Sequence, residues 1–267
     1  MTLLTERRDA TLWLTLNRPG VHNALNAELL GRLDDALDEA AADTGVRAIV
    51  LTGAGTKAFS AGADLGELAG LPAERAHQVL ARGGRIVGRL ERSPVPVIAA
   101  VGGLALGGGF ELALACSFIV AAERASFGLP ETGLGLIPGY GGTQRLPRLI
   151  GRQAALHAIL TGERITADRA YGLGMVAVPP VPREDLDATA ERIAATVASR
   201  GPHASGRVLE AVASGLDSSL EAGLRLETGL AALCVADPEA AEGIAAFREH
   251  RAPAFTTPAL TGEEAER

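Results

Sequence analysis

The chain has 267 residues, 47% of them hydrophobic and 21% charged, with a formal net charge of −7 and a pI near 5.3. That length and apolar content suit one large α/β domain, or one domain with an appendage. The acidic balance excludes a general phosphate-backbone binder, which needs a basic face, so nucleic acid is not an expected partner.

The opening MTLLTERRDA carries Glu6, Arg7 and Arg8 and has no apolar segment of the signal-peptide kind. Residues 3–8 and TLWLTLN (11–17) read as paired strands, closed by Arg18-Pro19-Gly20. From Asn26 as N-cap, apolar residues recur at helical spacing. RAIVLTG (47–53), VPVIAAV (95–101) and FIVAA (118–122) are short strands, apolar on both faces, which predicts layers packed on each side of a sheet. Helices are predicted over 78–92 and from about Gly109. Strand, glycine-rich turn and helix thus recur, the pattern of an α/β core with parallel sheets. Beyond about Arg200 the strands stop, and 209–233 and 238–250 show helical periodicity alone. The expected division is an α/β core over 1–200 and a helical region over 201–267.

Two cysteines, Cys116 and Cys234, lie among apolar residues without a pairing pattern, which predicts reduced, buried thiols and a cytoplasmic setting. No uninterrupted apolar span reaches the ~20 residues of a membrane helix, so no membrane is expected as a partner.

Three glycine-rich stretches carry the candidate chemistry. Gly107-Gly108-Gly109 follows a strand and opens the helix FELALAC. Glycines there let backbone approach a ligand closely, and free N–H groups at a helix start favour negative charge, as in an oxyanion hole. A tight turn with Glu111 stabilised by the helix dipole, at about 0.3–1 kcal/mol, explains the same residues. AFSAGADLGEL (58–68) offers a second loop amide, at Ala63, or else an ordinary loop with Asp64 capping a helix. In FGLPETGLGLIPGYGGTQRLPRLIG (127–151), Glu131 alone reads as an exposed turn carboxylate. Beside Glu111 it reads differently, because two carboxylates in apolar, glycine-rich surroundings are what acid/base chemistry at carbon requires. Dinucleotide, P-loop, nucleophile-elbow and zincin motifs are absent from the sequence. His22, His77, His157, His203 and His250 are scattered without ligand spacing, so no metal is predicted.

Taken together, these segments resemble the enoyl-CoA hydratase/isomerase, or crotonase, superfamily over nearly the whole chain. NRPGVHNALN (17–26), AFSAGADLGEL, the run from Pro96 to Gly151, TGERITADRAYGLGMV (161–176) and EGIAAFREHRAPAF (242–255) carry the resemblance in order. It implies a crotonase-like spiral of ββα units and a C-terminal helical region that builds trimers or dimers of trimers. It also implies acyl-CoA thioester substrates, with coenzyme A part of the substrate and no separate cofactor. By the same resemblance the amides of Ala63 and Gly108 form the oxyanion hole and Glu111 and Glu131 are the catalytic carboxylates. Gly139 helps hold the water, and Ala61, Asp64, Leu65 and His22 join Ala63, Gly108 and Gly139 in contacting the CoA ester.

The implied reaction is addition of water across C2=C3 of a 2-enoyl-CoA, with Glu111 as base toward the water and Glu131 as proton donor to C2. The alternatives are a double-bond isomerase, which in this family generally lacks the carboxylate at the Glu111 position, and a non-catalytic acyl-CoA-binding or RNA-associating relative. Some positions depart from the usual pattern. Ser117 stands where an Asp commonly follows the cysteine, His22 stands at an often basic position, and His250 replaces a common Lys. Lys57 is the only lysine, so phosphate contacts fall to arginines such as Arg248 or Arg251.

Overall fold

The computed structural model describes residues 1–255; the end of the expected helical region, 256–267, lies outside the described residues. In chain order the elements are β1 (Leu3–Arg8), β2 (Thr11–Leu16), α1 (Ala27–Ala42), β3 (Ala48–Gly53), β4 (Ala58–Ser60) and α2 (Ala73–Glu91). There follow β5 (Val97–Val101), β6 (Leu104–Leu106), α3 (Gly108–Leu114), β7 (Phe118–Ala121) and β8 (Ser126–Gly128). Then come α4 (Gly142–Ile150), α5 (Arg152–Thr161), β9 (Ile165–Thr166), α6 (Ala167–Gly172) and α7 (Leu186–Ala198). The last three helices are α8 (Pro202–Leu216), α9 (Leu220–Val235) and α10 (Pro238–Arg248).

From β3 to β8 long and short strands alternate, and each kind builds its own sheet. The first has the order β1-β2-β3-β5-β7 and the second β4-β6-β8-β9. β1 pairs with β2, as its sequence predicts; that pairing is antiparallel, and the other pairs of the first sheet are parallel. Strand, short strand and helix repeat as β3-β4-α2 and β5-β6-α3, so the expected spiral of ββα units is present.

The side-chain period of two explains why the central strands are apolar throughout. In β3 and β5, Ile49, Leu51, Val97 and Ala99 face the main core with α1 and α2, while Ala48, Val50, Ile98 and Ala100 face a second layer. That layer is α7, through Leu186, Ala190, Ala194 and Ala198 at i, i+4 spacing. Each fully buried leucine or isoleucine on these faces contributes roughly 1.5–3 kcal/mol. Asn26 caps α1 by accepting the Leu29 N–H at 2.9 Å.

Three expectations are corrected. Helix α2 starts earlier than expected, at Ala73, with extended Pro72 as its N-cap, because proline lacks an N–H and suits the start of a helix and not its interior. The single periodic stretch 209–233 is two helices, broken at Asp217-Ser218-Ser219, where Ser219 accepts the Ala222 N–H and caps α9. Cys116 is buried, whereas Cys234 is only half-buried; both thiols are free. Ser117, in place of a carboxylate, accepts the Val97 N–H at 3.0 Å and ties α3 back to the sheet.

The histidines are dispersed in sequence, but the fold carries His203 to Asp237, at 2.9 Å, and to Glu239, at 3.6 Å. This cluster locks α8 to α10. Glu239 accepts the N–H groups of His203 and Ala204 at the start of α8, and Arg207 already occupies Asp237 at 3.2 Å. Among the described residues no helix is long and apolar enough to cross a membrane.

Candidate active site

The second sheet positions the site. Its parallel strands β4, β6 and β8 all end at the same edge, where the chain continues as Ala61-Gly62-Ala63, as Gly107-Gly108 and as Leu129-Pro130-Glu131. Ligands of parallel α/β sheets gather at the carboxyl ends of strands for this reason.

The first two loops touch. A methyl group added to Gly62 would stand 3.1 Å from the Gly108 nitrogen, and one added to Gly108 would stand 3.3 Å from the Ala63 nitrogen. Gly62 and Gly107 have φ of +100° and +50°, so glycine meets both the close approach and the left-handed backbone. Neither the Ala63 nor the Gly108 N–H has an acceptor among the described residues. The bonds around them are made: Gly62 O accepts from Leu25, Asp64 N–H donates to Leu25 O, and Gly107 N–H donates to Gly128 O. Two neighbouring, uncommitted amides held on a rigid frame are the geometry an oxyanion requires.

Glu111 lies in the first turn of α3 and is 1% exposed. Its Oε1 accepts the Tyr140 N–H at 2.7 Å and the Gly142 N–H at 2.6 Å. Between those donors Gly141 takes φ of +108°, which turns both amides toward one oxygen. Arg145 pins this segment from behind: it donates to Tyr140 O at 2.7 Å and pairs with Glu91 of α2 at 2.7 Å. Burial raises the Glu111 pKa, opposed by the amides of Gly142, Tyr140 and Gly139 and by the Arg145 charge.

Glu131 opens a short 3-10 turn, Glu131–Leu134, beside Gly107. A methyl on Gly107 would stand 2.9 Å from Glu131 Oε1. Its Oε2 is buried without a partner among the described residues. Burial pushes its pKa up to about 7; its own backbone amide opposes the shift and the charge of Glu111 adds to it. The fold therefore brings Ala63, Gly108, Glu111 and Glu131 together.

The remaining predicted contacts sit along the loops that lead in. Ala61 N–H donates to His22 O at 2.9 Å, and exposed His22 adopts a left-handed backbone with φ of 54°. Asp64 does cap the following 3-10 turn, accepting from Gly66, and also holds Arg18 at 3.0 Å. Leu65 is exposed beside it. Gly139 lies at the surface of its loop under Leu80. Of the arginines named for phosphate contact, Arg248 is exposed, while Arg251 is engaged by Glu242 at 2.6 Å and Glu249 at 2.7 Å. Lys57 is exposed. Sequence reasoning missed the Tyr140 and Gly142 amides that hold Glu111; the signal available was the run GYGG immediately before a helix.

An α/β spiral that sets two desolvated carboxylates beside two free amides is the architecture of an acid/base enzyme. The profile of the family described as enoyl-CoA hydratase/isomerase matches residues 6–258. A crotonyl-CoA hydratase of Syntrophomonas wolfei is 38% identical over 253 residues, covering 95% of this chain and 97% of the relative. The 2,3-dehydroadipyl-CoA hydratase of Escherichia coli is 41% identical over 95% of this chain and 98% of its own. The crystal structure of an enoyl-CoA hydratase from Bacillus anthracis superposes with a TM-score of 0.92 at 41% identity, over 96% of this chain and 99% of that one. The chain belongs to the enoyl-CoA hydratase/isomerase family.

Proposed function

We propose that this protein adds water across the C2=C3 bond of 2-enoyl-CoA thioesters to give 3-hydroxyacyl-CoA. The observation that carries the reading is the pairing of Glu111 and Glu131, both with raised pKa, beside the free amides of Ala63 and Gly108. Addition of water drives negative charge onto the thioester oxygen, and each preset amide donor is worth roughly 10²–10³ in rate. Two amides on Oε1 favour ionised Glu111, which suits a base taking the proton of the attacking water. Glu131, titrating near pH 7, keeps a proton to deliver to C2.

Ala61, Asp64, Leu65, His22 and Gly139 line the CoA-ester path in this reading, and no separate cofactor takes part. We infer a homotrimer or a dimer of trimers, supported by the stripe Val208, Val212 and Leu216 on α8 and by exposed Ile244 and Phe247 on α10. Two free thiols support a reducing, cytoplasmic compartment.

The test supplies crotonyl-CoA and a 3-enoyl-CoA separately and identifies the products by mass. Formation of 3-hydroxybutyryl-CoA with solvent oxygen supports the hydratase. Conversion of the 3-enoyl-CoA to its conjugated isomer, with crotonyl-CoA untouched, would replace it with an isomerase.

A further inference from the structure

Tyr140 is only 5% exposed, and its ring is set between two glycines of different elements. On one edge, Cδ2 and Cε2 lie 2.9 and 3.0 Å from where a methyl on Gly108 would stand, at the oxyanion amide itself. The other edge, Cε1 and Cζ, fills the place where a methyl on Gly83 of α2 would be. The ring therefore spans the gap between the oxyanion loop and α2. Beyond it lies a cavity of about 400 Å³, within the size range of a ligand site, walled by Leu30, Leu71, Val79 and Tyr140 together with charged Glu67 and Arg82. Burial, together with the charges of Glu111 and Glu67, pushes the phenol up to about 12, so the side chain is a neutral, largely apolar partition.

We propose that Tyr140 fixes the acyl-chain length: its ring stands beside Gly108 as the end wall for the substrate tail and shuts that tail out of the cavity behind it. The selected substrates are thus 2-enoyl thioesters with short tails. The inference rests on the hydratase reading for its choice of substrate. The ring is held by packing, and its backbone N–H, which serves Glu111, is independent of the side chain. Truncating Tyr140 therefore joins the cavity to the site while keeping the backbone N–H that serves Glu111. The rotamer and position of a wall residue decide discrimination between tails by the room available for each added methylene.

The experiment compares kcat/KM for four-carbon crotonyl-CoA and twelve-carbon 2-dodecenoyl-CoA in the parent, Tyr140→Ala, Tyr140→Val and Tyr140→Phe, each confirmed folded by thermal melting. The parent and Tyr140→Phe should strongly favour the short substrate. Tyr140→Ala should move the ratio toward the long one by about tenfold or more. Tyr140→Val should do so by less, and it carries the test if the alanine variant does not fold. A parent that turns over both esters equally, or an unchanged ratio in a folded truncation, overturns the wall. Should the parent hydrate neither ester, the hydratase reading has failed on its own. The wall is then read from binding of saturated butyryl-CoA and dodecanoyl-CoA. Truncation must tighten the long ester selectively, and equal effects on both refute it.

Discussion

The α/β core and helices α8–α9 are built on opposite terms. Every residue of β5 is buried, and the two sheets leave Gly62, Gly108 and Gly109 pressed against neighbouring backbone. Neither α8 nor α9 has a single buried residue, although both carry rows of valine and leucine. Where the core satisfies its own apolar surface, these helices present theirs outward, and the polar lock of His203, Arg207, Asp237 and Glu239 ties α8 to the start of α10. Substitutions in the two regions should therefore read out in different quantities: stability and chemistry in the core, assembly in the helices.

The sharpest contrast is between Gly109→Ala and Val212→Asp. A methyl on Gly109 would lie 2.6 Å from Ser60 Cβ and 2.5 Å from its carbonyl oxygen, with no flexible group to yield. Gly109→Ala should cost about 3 kcal/mol or more in chemical denaturation. Val212→Asp places a charge on an exposed face, so it should leave monomer secondary structure intact while light scattering shows smaller particles than the parent. If the first variant is as stable as the parent, or the second unfolds the chain, the division between the regions is wrong.

An intermediate effect comes from Glu131. Its folded pKa of about 7 lies above the ordinary 4.5, so ionising it costs folding energy. The favourable contribution is fully present below about pH 4.5 and is lost as pH rises through about 7. Glu131→Gln should therefore stabilise the protein relative to the parent at pH 8, and far less at pH 4.5. After allowance for solvent screening the gain is roughly 1–2 kcal/mol. Calorimetry at the two pH values checks it, and a gain that does not change with pH contradicts the shifted pKa. The smallest effect belongs to the helical region. Ser219→Ala removes the α9 cap and should cost about 1 kcal/mol, read as a lower melting temperature.

The parts legible in sequence were those with a local cause. Gly107-Gly108-Gly109 before Glu111, the Asn26 cap and the apolar runs of β3 and β5 each announce themselves within a few residues. The second sheet did not, because β4, β6 and β8 have three residues each, too few to show a period of two. Helix α7 presents an alanine-rich stripe, which marks a buried face weakly. The grip on Glu111 was invisible for another reason: Tyr140 and Gly142 act through backbone N–H groups, which every non-proline residue possesses. Convergence of the Ala63 and Gly108 loops depends on the pairing of β4 with β6, a contact between distant stretches of chain.

The most direct test follows the loss of enoyl-thioester absorbance with crotonyl-CoA for the parent, Glu111→Gln and Glu131→Gln, with butyryl-CoA binding measured on all three. The account predicts that the parent hydrates crotonyl-CoA and that each variant loses about 10²–10⁴ in kcat while still binding the ester. A parent inert toward crotonyl-CoA, or a variant at either glutamate that keeps the parent rate, would contradict it.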